Sequence, residues 1–148
     1  WGVVHPGGWA IVPGVGDGRR VLVRQLRYPP RRAVLGVPAG KMDEPGEAPA
    51  DVAARELEEE TGWQAGRFEH VGTAYPCIGY SNEQIHVFTA HDLDRGTQAL
   101  ADGEFVEVVE VDFETALARA RHGDLRDMKT VTALVYAAAH LNESSAAP

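Results

Sequence analysis

The sequence predicts an α/β fold in which a sheet is sandwiched between helices. Three observations carry that expectation. Short runs rich in Val, Ile and Leu recur along the chain, bounded by Gly, Asp and Asn turn residues. Residues Pro49–Thr61 read as an amphipathic helix, and two further helical patterns follow the last strand-like run. No internal repeat or long linker interrupts the order, and 148 residues suit one domain with a real core. Residues 1–141 are assigned to that single domain and residues 142–148, small and polar, to a flexible tail.

Taken in order, Ala10–Val15 and Arg20–Tyr28 read as strands, with Gly16-Asp17-Gly18 as a hairpin turn between them. Val34–Val37 is a short apolar run. Pro49 suits the first turn of the next helix, where no backbone N–H is needed, and Gly62 suits the position past its last turn. Phe68–Ala74 and Ile85–Ala90 are strand-like, separated by the turn-rich Gly79-Tyr80-Ser81-Asn82. Phe105–Val111 is Val-rich and reads as a strand. Asp112 caps a helix to about His122, closed by Gly123. Asp127 caps a last helix that places Val131, Leu134, Val135, Ala138 and Leu141 on one face.

Hydrophobic residues make up 44% and charged residues 24%, a soluble globular composition. Of the net charge of −8, residues 41–60 carry −6 (Asp43, Glu44, Glu47, Asp51, Glu56, Glu58, Glu59 and Glu60 against Lys41 and Arg55). The acidity therefore belongs to a local site. A nucleic-acid partner needs a basic face, and none dominates here. No run of 18 apolar residues exists to span a membrane, and no signal peptide is visible. Cys77 is the only cysteine, so no intrachain disulfide forms; a cytoplasmic location and a buried structural thiol are expected. The chain opens at Trp1 without a methionine, which leaves room for residues upstream. The six histidines show no paired zinc-ligand spacing, and Ser81 lacks the glycine elbow of a serine hydrolase.

The chemistry concentrates in Arg55-Glu56-Leu57-Glu58-Glu59-Glu60-Thr61-Gly62. With about 100° per residue, Glu60 falls about 40° to one side of Glu56 and Glu59 about 60° to the other. Glu58 points away, while Ala53 and Leu57 can face a core. Like charges so crowded weaken a helix unless something positive sits among them. Hard divalent cations take such oxygen ligands, and Mg²⁺ binds a few carboxylates together with substrate phosphates. Acidic runs on helices are more often solvated faces. The frame around this one, from the Gly/Pro-rich loop Val37–Glu47 through Pro49 to Gly62, argues for a site.

That frame resembles the Nudix box, G-x5-E-x7-R-E-U-x-E-E-x-G-U, where U is bulky and apolar. Glu47, Arg55, Glu56, Leu57, Glu59, Glu60, Gly62 and Trp63 stand in the matching places. Six residues rather than five separate Gly40 from Glu47, an extra loop residue such as Pro45 that a surface loop absorbs cheaply. Further segments are similar to the ADP-ribose pyrophosphatase-like branch: His5-Pro6-Gly7-Gly8, Val21–Tyr28, Val37-Pro38-Ala39-Gly40, Gly79–Glu83, Ile85–Phe88, Gly103–Glu107 and Arg126–Thr130. One departure is Gly36, where the branch often has a glutamate two residues before Pro-Ala-Gly. Another is that the sequence starts too late to show the N-terminal strands with which many members build a dimer and part of the substrate pocket.

The resemblance implies an α/β/α sandwich with a mixed sheet and a cytoplasmic homodimer. It implies hydrolysis of the pyrophosphate bond of a nucleoside diphosphate sugar, ADP-ribose first, to AMP and ribose 5-phosphate. The small-molecule nucleotide is the partner; another nucleotide sugar, a dinucleotide, FAD, or a non-catalytic nucleotide-sensing role are the alternatives. Mg²⁺, with Mn²⁺ possible, is the implied cofactor, held by Glu56 and Glu60, the Ala39 carbonyl, Glu104 and a possible second-metal ligand, Glu59. Arg55 orients a catalytic glutamate with help from Glu47. The general base is Glu104, or alternatively Asp102; both could instead be plain turn residues. Arg27, Gly40 and Glu83 are the expected substrate contacts, and most of the other five arginines of the stretch, Arg19, Arg20, Arg24, Arg31 and Arg32, are expected to be solvated.

Overall fold

A computed structural model describes residues 1–43 and 45–146; Glu44 of the acidic stretch and the last two tail residues lie outside the described residues. Two sheets and three helices form the chain. The strands are β1 (Gly8–Pro13), β2 (Arg19–Arg27), β3 (Arg32–Gly36), β4 (Ala39–Lys41), β5 (Trp63–Ala74), β6 (Ile85–Arg95) and β7 (Val106–Asp112). The helices are α1 (Pro49–Thr61), α2 (Phe113–Arg121) and α3 (Met128–Ala146).

The first sheet runs β4-β1-β6-β5 and is mixed: β1 pairs parallel with β6 and antiparallel with β4, and β6 pairs antiparallel with β5. The second runs β3-β2-β7, antiparallel throughout. All six residues of β1 are buried, as a central strand covered on both faces must be. Its side chains alternate. Trp9 and Ile11 join Phe88 of β6 against Val52, Ala53 and Leu57 of α1. Ala10 and Val12 join Val87 against Ala133, Leu134 and Ala137 of α3. The period of two thus places α1 on one face of the mixed sheet and α3 on the other, the expected α/β/α sandwich.

Most elements fall where the sequence places them, and α1 matches at both ends. Pro49 opens it, and Gly62 closes it at φ 73°, its N–H donating to the Glu58 carbonyl at 2.7 Å. The loop before it turns at Gly46 (φ 89°), so the extra residue leaves the helix intact. Asp112 caps α2 by accepting from the Thr115 N–H at 3.0 Å.

Four expectations are corrected. Residues 16–18 do not make a hairpin: they form a 3₁₀ turn, β1 and β2 enter different sheets, and an isolated Gly14–Arg20 bridge links their ends. A strand buried on both faces needs distant partners, which turn chemistry does not specify. β4 was not anticipated, because Ala39-Gly40-Lys41 has loop composition and becomes a strand only through β1. Val135 is 55% exposed; the buried face of α3 is centred on Thr130, Ala133, Leu134 and Ala137. And α3 runs to Ala146, beyond Leu141, the last residue its apolar pattern names.

Gly40 shows how β4 is held. A Cβ there would stand 2.6 Å from Cζ2 of the fully buried Trp9. Gly40→Ala is therefore expected to cost about 1–3 kcal/mol, read as a lower urea midpoint; unchanged stability would remove this packing constraint.

Candidate active site

α1 presents its acidic face as the helical wheel requires. Ala53 and Leu57 are fully buried, and Glu58 turns away to accept from Gln64 Nε2 at 2.6 Å. Arg55 clamps the face from one side. Its Nη1 lies 2.9 Å from Glu56 Oε1 and 3.6 Å from Glu59 Oε2, and its Nη2 lies 3.6 Å from Glu47 Oε2. One guanidinium thus gathers three carboxylates, using the fork geometry that lysine lacks.

Glu60 lies beyond that clamp and is half-buried. Burial, then the charges of Glu56 and Glu104, push its carboxyl up to about 8, against the pull of Arg27. Burial also raises Glu56, with Arg55 opposing. Glu104 reaches this face from a distant loop because that loop is sewn to the end of α1. Gln98 Nε2 donates to the Glu60 carbonyl at 2.7 Å, and the Ala99 N–H donates to the Glu59 carbonyl at 2.8 Å. Within the loop, the Glu104 N–H donates to the Ala101 carbonyl at 3.0 Å. Asp102 is exposed and is not among the principal charges acting on Glu56 or Glu60.

The donor set fits a hard divalent cation. It consists of oxygens and is strongly anionic, and burial together with the Glu56 and Glu104 charges raises the Glu60 carboxyl. Among the described residues, no three His, Cys, Asp or Glu side chains stand close enough to hold a metal as they are.

Beside the acidic face opens a cleft of about 410 Å³. Arg27, Ala39, Gly40 and Glu83 line it together, so three segments far apart in sequence meet there. Glu83 is held 3.5 Å from His5 Nδ1. A neighbouring chamber of about 680 Å³ shares Arg27, Asp127 and Lys129 with it. Cys77 is not a buried core thiol: it is half-buried on the cleft wall and accepts from the Tyr80 hydroxyl at 3.1 Å. Arg20 is likewise not simply solvated; its guanidinium lies 4.4 Å from the Phe113 ring centre.

Residues 5–132 match the NUDIX domain family. The chain belongs to the Nudix family. An ADP-ribose pyrophosphatase of Bacillus subtilis (strain 168) is 39% identical over 136 residues, covering 90% of this chain and 73% of that protein. A GDP-mannose pyrophosphatase of Yersinia pestis (strain Pestoides F) is 33% identical over 141 residues, covering 89% and 70%. A crystal structure of an ADP compounds hydrolase has the same fold, with TM-score 0.85 at 23% identity over 95% of this chain and 75% of that one. Within the Nudix family the chain is a pyrophosphohydrolase of the ADP-ribose pyrophosphatase-like branch.

Sequence reasoning overlooked Gln98, which carries no motif signal, and gave Asp127 only a capping role and Lys129 none. Glu60 itself yields a pH signature. Its folded pKa of about 8 lies above the unfolded 4.5, so its contribution to stability is intact below pH 4.5 and is lost as pH rises through about 8. Metal-free Glu60→Gln protein should match wild type near pH 4.5 and exceed it at pH 9 by on the order of a few kcal/mol, read by thermal unfolding. No gain at pH 9 would contradict this electrostatic picture.

Proposed function

We propose that this Nudix enzyme hydrolyses ADP-ribose to AMP and ribose 5-phosphate with Mg²⁺, or Mn²⁺ in its place. The observation that carries the reading is the junction of an anionic helical face with an Arg27-bearing cleft. A diphosphate repels nucleophiles with its own oxygens, so the site needs positive charge on both sides of it. Glu56, Glu60 and the Ala39 carbonyl would hold the cation, with Glu104 and Glu59 in reach. When bound, it neutralises phosphate charge and lowers the pKa of coordinated water.

The chain's own groups supply the rest. Arg27 pairs with the diphosphate, and Arg55 keeps Glu56 and Glu59 in a fixed relation. Glu104, ahead of Asp102, accepts the proton as water oxygen bonds to phosphorus and the bridging P–O bond breaks. Glu83 and the backbone at Gly40 face the sugar or base. The relative from Bacillus subtilis supports ADP-ribose; the one from Yersinia pestis supports GDP-mannose as the second reading. Exposed Tyr28 and Ile78, at 80% and 77%, adjoin cleft residues and support a second copy of the chain covering that rim.

The test is a nucleotide panel incubated with Mg²⁺ or Mn²⁺ and scored for AMP or GMP. AMP release from ADP-ribose is expected, falling at least ~100-fold in Glu60→Gln. Silence across the panel with ADP-ribose still bound would replace hydrolysis by nucleotide sensing.

A further inference from the structure

The two chambers beside the acidic face meet at three residues, Arg27, Asp127 and Lys129. Arg27 already has a part in the reaction described, pairing with the diphosphate. Asp127 and Lys129 open α3, and the reaction described so far uses neither.

Their local geometry is that of a strut and an arm. Oδ2 of Asp127 accepts from the Thr130 hydroxyl at 2.6 Å and from the Thr130 N–H at 3.2 Å, while Oδ1 lies 3.0 Å from Lys129 Nζ. Burial alone would raise the Asp127 carboxyl, but these hydrogen bonds and the Lys129 charge hold it below the usual range. Its oxygens are therefore committed. The ammonium has three donors, of which Asp127 takes one. Lys129 keeps a side chain 30% exposed, on the border of both chambers.

The strut is also registered to the strand that leads into β4. The Val37 N–H donates to the Thr130 hydroxyl at 3.0 Å. A Cβ at Gly36 would stand 2.6 Å from that hydroxyl oxygen and 3.4 Å from Asp127 Oδ2. The glycine at a position where the branch often has glutamate is what lets the first turn of α3 close onto β3. A carboxylate from α3 then stands beside the place a side chain at 36 would occupy.

We propose that Lys129, positioned by Asp127, is a second cationic grip on the substrate's phosphate oxygens, reaching them from the α3 side while Arg27 holds them from β2. The proposal rests on the pyrophosphohydrolase reading of the same site. Two cations at the chamber junction fix a diphosphate where its two halves part into separate chambers. Asp127 acts only through Lys129 and the helix start, and is a positioning residue.

The test uses the whole chain and ADP-ribose, with two readouts: steady-state kinetics with Mg²⁺, and calorimetric binding in EDTA. Lys129→Met is expected to raise KM and the metal-free Kd about 10-fold with kcat changed less than about threefold. Lys129→Arg restores most of the loss, and Asp127→Asn gives an intermediate KM. KM and Kd of Lys129→Met both within twofold of wild type would overturn the grip. So would a kcat loss with unchanged Kd, which a purely structural role gives. Wild type that hydrolyses GDP-mannose and not ADP-ribose fails the ADP-ribose reading alone, and the same comparison is then made with GDP-mannose. Wild type inert to, and not binding, either nucleotide overturns both.

Discussion

Mutual repulsion among Glu56, Glu60 and Glu104 is the constraint that the rest of the structure is built to withstand. Three carboxylates near one helical turn oppose one another, and burial makes that worse for Glu60. The chain answers with anchoring. Val52, Ala53 and Leu57 fix α1 to the mixed sheet through Trp9 and Ile11. Arg55 neutralises the outer edge of the face through Glu56, Glu59 and Glu47. Gln98 and Ala99 stitch the loop that carries Glu104 onto the backbone of Glu59 and Glu60. Each device holds an acid where it would otherwise not stay, and the cost is a site poised for a counter-charge.

The two sheets divide the labour. The mixed sheet carries α1 and, through β4, the backbone of Ala39. The antiparallel sheet brings Arg27 at the end of β2 and the wall of the larger chamber along β3. Anionic and cationic halves thus sit on different sheets, and the cleft forms where the sheets meet. Closure of Trp9 onto Gly40 keeps β4 tight against β1, so the Ala39 backbone belongs to a paired strand and not to a free loop.

What was legible in the sequence follows the range of the forces involved. α1 was readable to both ends because Pro49, Gly62 and the 3.6-residue pattern are local signals. The wheel placed Glu58 outward and Leu57 inward because helix geometry leaves no other choice. β4 and the separation of β1 from β2 were not readable, since both depend on pairings with distant strands. Val135 was misplaced because a five-residue apolar face fits two neighbouring orientations, and only α3's packing on β1 and β6 selects one. Glu104 was reached through motif resemblance alone. The bonds that bring it to Glu60 begin at Gln98, a residue with no pattern of its own.

Gly36 carries the argument one step further. As a sequence feature it was a loss, a missing carboxylate beside the Pro38-Ala39-Gly40 turn. In the fold it is a space, and Thr130 and Asp127 fill it. The same contact ties the start of α3 to the strand leading to Ala39, through the Val37 N–H. A shift at the helix start would therefore be felt at Val37, and a shift there would be felt at Lys129. One hydroxyl, that of Thr130, bonds both Asp127 and the Val37 N–H and so joins the start of α3 to the strand that leads to Ala39.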